Sequence, residues 1–156
     1  MYTISHAVRV NPEREDVILT QEDVWTGLKM KAENALPFVP GMSKCDTIER
    51  GVDDDGIEWL LRDVAFKGQE FQERILLRAP TQVHFTRVGG GGFIENTISE
   101  SEMGLQLAFT FGLNFPGTEG GSDAEREKGE SMKADYIGAV AATLAKVREM
   151  KKSGEL

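Results

Sequence analysis

With 156 residues and 26 acidic against 18 basic side chains, the chain carries a formal charge of −8 and is long enough for one domain around one core. That balance repels a phosphate backbone, and no basic stripe reverses it, which excludes nucleic acid as a partner. The single cysteine, Cys45, excludes an internal disulfide framework, and no apolar run approaches the ~20 residues of a membrane span, so a soluble cytoplasmic protein is expected.

Residues 2–10 alternate, with Tyr2, Ile4, His6, Val8 and Val10 on one side, which predicts a strand ended by Asn11-Pro12. Thr20, with Asp23 three residues on, makes a variant capping box. It opens a predicted helix over 21–35 whose apolar face holds Val24, Trp25, Leu28, Ala32 and Ala35. The prolines of "LPFVPGM" leave room for only a short second helix. Strands are then expected near 43–50, 57–66, 69–78, 82–88, 93–100 and 103–115. Their separators, "VDDDG", "KG", "APT", "GGGG" and "SE", are short enough to force an antiparallel meander. After the loop "PGTEGGSD", residues 123–152 predict one long helix with an apolar stripe through Met132, Tyr136, Ala139, Val140, Leu144 and Val147.

The order strand, helix, short helix, six strands, long helix predicts an α+β fold, one domain over 1–156. Its seven-stranded antiparallel sheet wraps around the C-terminal helix, an arrangement that resembles the helix-grip fold of the START and pollen-allergen superfamily. The stretches "VRVNP", "LTQEDVWTGLKMKAENALPFVPGMSKC", "RDVAF", "QERILL" and "YIGAVAATLAKVREM" resemble the AtaL-like family, named for a fungal acetylaranotin biosynthesis cluster. The resemblance implies that fold and an association with secondary metabolism. It carries no catalytic residue over to a position here.

The segment "WLLRDVAFKGQEFQERILLR" (59–78) sharpens the picture. A two-residue turn at Lys67-Gly68 sets Arg62 opposite Glu73, Val64 opposite Phe71 and Leu60 opposite Ile75. Arg62 and Glu73 then share the more apolar, inward face, while Asp63, Gln72 and Arg74 point out. Extending through "APT" sets Glu73 near Arg87 and Ile75 near Phe85. Extending through "GGGG" sets Arg87 near Ile94, Phe85 near Asn96 and Val83 near Ile98. The inner wall is expected to hold Phe71, Ile75, Leu77, Phe85, Ile98, Leu107 and Phe109, crossed by a polar row of Arg62, Glu73 and Arg87, with Asn96 one step away. Two readings of the row stay open. One is an internal ion pair between a carboxylate and two guanidiniums that fixes register. The other is the polar end of an apolar pocket, where an arginine meets a ligand's anionic or enolic oxygen.

Other motifs yield less. "VGGGGF" lacks the Lys-Ser/Thr and the following helix of a phosphate loop, and "DDDG" lacks a calcium loop's first ligand. The two histidines fall on opposite faces, with His84 outward beside Thr97 and His6 inward, so no zinc site is expected. Cys45 is read as packing. Candidate ligand-binding residues are Arg62, Glu73, Arg87, Asn96, Phe71, Phe85, Leu107, Phe109, Tyr136 and His6, with no metal or cofactor expected. The glycine-rich loop at 115–124 is the expected way in. Binding of a small hydrophobic molecule is the leading function. A cyclase, dehydratase or isomerase acting on a polyketide-like or peptide-derived intermediate is the enzymatic alternative, and an interaction module with a filled core is the third.

Overall fold

The computed structural model, which describes residues 1–156, opens on strand β1 (Tyr2–Arg9) and reaches helix α1 (Gln21–Glu33) through a loop tied by Asn11. The Asn11 amide donates to the Leu19 carbonyl (2.8 Å) and accepts from the Leu19 N–H (2.9 Å). The expected capping box forms, with Thr20 and Asp23 each accepting from the other's backbone N–H. α1 stops short of residue 35 for a local reason. The Ala35 N–H donates to Cys45 Sγ (3.3 Å), and the carbonyl it would have bonded in a longer helix, that of Lys31, accepts from Arg62 Nη1 (2.9 Å). Residues 36–38 are turns, so the short second helix does not form.

Strands β2 (Met42–Val52), β3 (Glu58–Phe66), β4 (Gln69–Arg78), β5 (Gln82–Arg87), β6 (Gly92–Ser99) and β7 (Gln106–Leu113) form the antiparallel meander. β1 joins beside β7, which gives one seven-stranded sheet in the order β1-β7-β6-β5-β4-β3-β2. The β3–β4 turn has positive φ at Lys67 (48°) and Gly68 (81°), the combination that a two-residue turn needs to match strand twist. Its register is the expected one: Arg62 opposite Glu73, Val64 opposite Phe71, Leu60 opposite Ile75. β4–β5 also agrees, with Glu73 opposite Arg87 and Ile75 opposite Phe85.

The β5–β6 register differs from expectation by two residues. Phe85 faces Ile94, Val83 faces Asn96, and His84 faces Glu95 where Thr97 was expected. The last pair is Thr86–Phe93, so Arg87, the last residue of β5, has no partner on β6, and Val88 joins the glycines in the loop. Val88 N–H stays bonded to Gln72 O of β4 (2.9 Å), and Gly89, Gly90 and Gly92, all at positive φ, carry the chain away from β6. A shift of two leaves pleat parity untouched, so every inward residue stays inward. Ile75, Leu77, Phe85, Ile98, Leu107 and Phe109 are buried, Phe71 is half-buried, and Gln72 and Arg74 are exposed.

Helix α2 (Asp123–Ser153) starts at the Ser122 cap and ends at Gly154 in the left-handed region. It packs over β1 and β7 and against α1. The two helices approach so closely at Gly27 that a Cβ there would sit 2.4 Å from Val147 Cγ2. Arg148, buried, fastens α2 to the loop after β1 by donating to the carbonyls of Val17 and Val10.

Candidate functional site

Because α2 lies over β1 and β7, it leaves the β3–β5 part of the sheet uncovered, and only α1 reaches that part, at β5. A cavity of about 520 Å³ fills the gap between that part, the end of α1 and the middle of α2. Pockets for small molecules span roughly 300–1,000 Å³. The walls are mainly apolar, with Phe71, Phe85, Ile94, Phe109 and Phe111 from the sheet and Met132 and Ala139 from α2. The mouth lies between the α1–β2 loop (Pro40, Gly41), the β3–β4 turn (Lys67) and α2 (Ala134, Asp135, Gly138), all exposed. Lys67 Nζ meets Asp135 Oδ2 across it at 3.5 Å. Residues 115–124, expected to be the way in, line no part of the cavity. The start of α2 is fastened to β1 instead: Tyr2 packs on Phe115, its ring fills the space beside Gly129, and its hydroxyl donates to Glu130 (3.2 Å).

Arg62 and Glu73 are both buried, on the inner face as expected. Arg62 donates to Glu73 Oε2 from Nε (2.9 Å) and Nη2 (2.7 Å). Its Nη1 donates to the carbonyls of Lys31 (2.9 Å) and Ala32 (2.8 Å), two of the acceptors that every helix leaves open at its C-terminus. Arg62 is therefore nearly saturated by the protein. It holds the end of α1 to the middle of the sheet.

Arg87 behaves differently. It faces Glu73 in the strand register but forms no ion pair with it, so the carboxylate is not clamped by two guanidiniums. The guanidinium lies over the Phe71 ring (4.4 Å to the centroid), and its buried Nε has no hydrogen-bond partner. The cavity's polar end thus holds Lys31, Arg62 and Arg87 against one carboxylate, Glu73.

Lys31 is the residue that the sequence reading missed. It is buried, and Nζ ends at the cavity wall with one hydrogen bond, to Asn96 Oδ1 (2.8 Å). The faces of Phe109 and Phe85 lie 4.7 and 5.1 Å away. Burial, and then the charge of Arg62, bring its amine down to about 7, with Glu73 acting in the opposite sense. The signal was there: Lys31 follows Val24 by seven residues and Leu28 by three, on the apolar stripe of α1. Tyr136 stacks on Phe111 (4.7 Å) and donates to Met132 Sδ (3.4 Å). Burial pushes its phenol up to about 12, with Arg87 pulling the other way.

The family model described as "Acetylaranotin biosynthesis cluster protein L", AtaL, matches residues 4–154. The chain belongs to the AtaL family. No curated protein matches it significantly in sequence. Solved structures place this AtaL chain in the helix-grip fold. An 18 kDa protein from Caulobacter crescentus superposes with a TM-score of 0.65 at 11% identity, covering 98% of this chain and 97% of its own. The Zhui aromatase/cyclase from a Streptomyces species gives 0.59 at 18% identity, covering 96% and 94%. The di-domain ARO/CYC StfQ from the steffimycin biosynthetic pathway gives 0.60 at 14% identity, covering 96% of this chain and 51% of that one.

Of the residues singled out from sequence, Arg62, Glu73, Arg87, Phe71, Phe85, Phe109 and Tyr136 meet at this cavity of the AtaL chain. Three do not line it. His6 is inward and half-buried, but β1 lies beneath α2, away from the void. Leu107 is packed in the core between β-sheet neighbours Val8 and Ile98. Asn96 is fully buried and reaches the site only through Lys31, with its Nδ2 unpartnered. His84 points outward, stacked on Phe93 and 3.0 Å from Glu95. Cys45 is buried against Ala35 and Val64.

Proposed function

We propose that this AtaL-family chain binds a small, largely apolar molecule that carries an anionic or enolic oxygen, in the service of secondary metabolism. The observation that carries the reading is Arg87: a guanidinium on the cavity wall with a buried Nε that no protein group satisfies. Its terminal N–H groups make no hydrogen bond or ion pair with the protein either, and a ligand oxygen in the cavity is the partner they lack. Two guanidiniums, Arg62 and Arg87, against the one carboxylate of Glu73 favour an anion at that end even though the whole chain carries −8. An interaction module with a filled core has no use for a void of about 520 Å³. The family's association with a biosynthesis cluster, and the ARO/CYC proteins among its structural relatives, support a polyketide-like or peptide-derived ligand. The enzymatic alternative, a cyclase, dehydratase or isomerase, is favoured by one observation, the buried amine of Lys31.

The test compares anilinonaphthalene sulfonate, an apolar anion, with an uncharged apolar dye in wild type and Arg87→Met. A hydrogen bond to a charged group contributes about 1.5–3 kcal/mol. Arg87→Met is therefore expected to weaken the sulfonate roughly 10- to 150-fold and leave the neutral dye unchanged. Equal affinities of the sulfonate for both proteins refute the anchoring role. Failure of either dye to bind wild type refutes the cavity reading.

A further inference from the structure

We propose that Lys31 is a nucleophilic amine, whose Nζ adds to a ketone or aldehyde carbon of a molecule in the cavity and forms an imine. The inference rests on the reading that the cavity takes a small organic ligand, and it adds a covalent step to that reading.

The geometry carries it. The Lys31 side chain leaves α1 on the stripe of Val24 and Leu28, runs through the core and ends at the cavity. Glu73, the nearest candidate counter-ion, has its Oε2 taken by two donors of Arg62, and Lys31 makes no salt bridge. An ammonium offers three N–H donors, and here only one is met, by Asn96. A neutral amine fits the site better: one N–H goes to Asn96, and the lone pair is free to face the cavity. The charged groups that face Lys31 are Arg62 from β3 and Glu73 from β4. Arg87 from β5 and Tyr136 and Asp135 from α2 line the same void, and neutral Asn96 comes from β6. Desolvation beside a second cation is a recognised way of making a lysine nucleophilic, and it acts here to bring the amine down to about 7.

The step balances without a co-reactant. The nitrogen lone pair forms a C–N bond to the carbonyl carbon, and the π electrons move to oxygen, which takes up the proton that nitrogen gives up. The carbinolamine hydroxyl then takes up a proton from solvent water and leaves as water, which gives an iminium; loss of its N–H proton gives the imine. Its positive nitrogen draws electrons from the neighbouring C–H bonds, so a ligand with several carbonyls is activated for condensation or proton transfer beside the imine. A carbonyl-bearing ligand thus gives the apolar site a chemical use for a buried amine.

The experiment incubates the full chain with 2-naphthaldehyde and sodium cyanoborohydride at neutral pH. Cyanoborohydride reduces an iminium to a stable secondary amine, and the label is mapped by peptide mass spectrometry. An amine near 7 is about half neutral at that pH, against roughly one part in a few thousand for an ordinary lysine. Neutral lysines of lower pKa are also weaker nucleophiles, so Lys31 is expected to label on the order of a hundred-fold faster than exposed Lys29 on the same helix. Lys31→Met is expected to lose that label. Label spread over surface lysines or the N-terminal amine, with Lys31 unmodified while the sulfonate binds, overturns the imine alone. If Lys31 stays unlabelled and the sulfonate does not bind, the cavity reading falls with it. Mapping the unaltered protein decides the matter even if the variant fails to fold.

Discussion

Glu73→Gln tests the centre of the site, because it removes one charge and almost no volume. In the wild type, Glu73 Oε2 accepts from Arg62 Nε at 2.9 Å and from Nη2 at 2.7 Å, with only 3–4% of either residue exposed. Breaking a buried ion pair by removing one partner costs about 3–5 kcal/mol. Glutamine keeps an acceptor oxygen for Arg62, so part of the hydrogen bonding survives as a neutral contact, and the expected loss is about 2–3 kcal/mol. At this size, 1 kcal/mol moves the melting temperature by about 2–4 °C, so a drop of about 4–12 °C is expected. Urea unfolding at neutral pH is the assay, read as a lower midpoint at unchanged slope. Asp63→Asn is the control. Asp63 lies on the outer face and accepts from Gln72 Nε2 (2.9 Å), so its loss should stay within about 0.5 kcal/mol. A second readout follows from charge. Glu73 is the group that holds the Lys31 amine up, so Glu73→Gln should move the pH dependence of Lys31 labelling downward. Stability of Glu73→Gln within about 0.5 kcal/mol of wild type would refute the claim that this pair braces helix to sheet.

Lys31→Met should stabilise the fold near neutral pH, because the buried amine stands at about 7 when folded and at its ordinary 10.5 when unfolded. The unfolded chain binds more protons between those values, so wild type gains stability as pH rises from about 7 to about 10. Its deficit against the variant should shrink by up to about 1.4 kcal/mol per pH unit, and stay constant below pH 7, in urea titrations over that range. Gly27→Ala improves helix propensity by about 1 kcal/mol but places a Cβ 2.4 Å from Val147 Cγ2 on a fully buried side chain. Net destabilisation of about 1–2 kcal/mol is expected by thermal melting, and a more stable variant would contradict the close helix contact. Asp135→Asn removes an exposed pair at the cavity mouth, so stability should change by less than about 1 kcal/mol. Stopped-flow binding of anilinonaphthalene sulfonate should nonetheless show faster association and dissociation, and unchanged rates would place the mouth elsewhere.

How much of this was legible depended on how far each inference had to travel. The Lys67-Gly68 turn is short and stereochemically narrow, so it fixed the Arg62–Glu73 pairing and, by strict alternation, the inward face. Four glycines do not constrain a loop in that way, and the β5–β6 register moved by two residues. That even shift spared the face assignment. Arg87 kept its expected place opposite Glu73, but side-chain direction within a register is not legible in the sequence, and its guanidinium lies over Phe71 without pairing the carboxylate. Arg62's grip on the carbonyls of Lys31 and Ala32 joins positions some thirty residues apart, which no periodicity reveals. Lys31 escaped for a different reason: a charge within an apolar stripe reads as a solvated edge unless its register on the helix is counted. The mouth was misplaced because a glycine-rich loop suggests mobility, whereas Tyr2 fastens the start of α2 to the sheet.

The β3–β4 turn has one further consequence. Lys67 is the chain's one non-glycine residue at positive φ, in a turn that asparagine, aspartate and glycine fit better. Glycine at that position would relieve about 1 kcal/mol of backbone strain, yet it would delete the ammonium that meets Asp135 above the cavity. A screen that selects only for thermal tolerance would therefore accept this replacement and remove the rim's cation without any sign in its own readout. Retention or loss of lysine there separates sequences shaped by traffic through the opening from sequences shaped by rigidity alone.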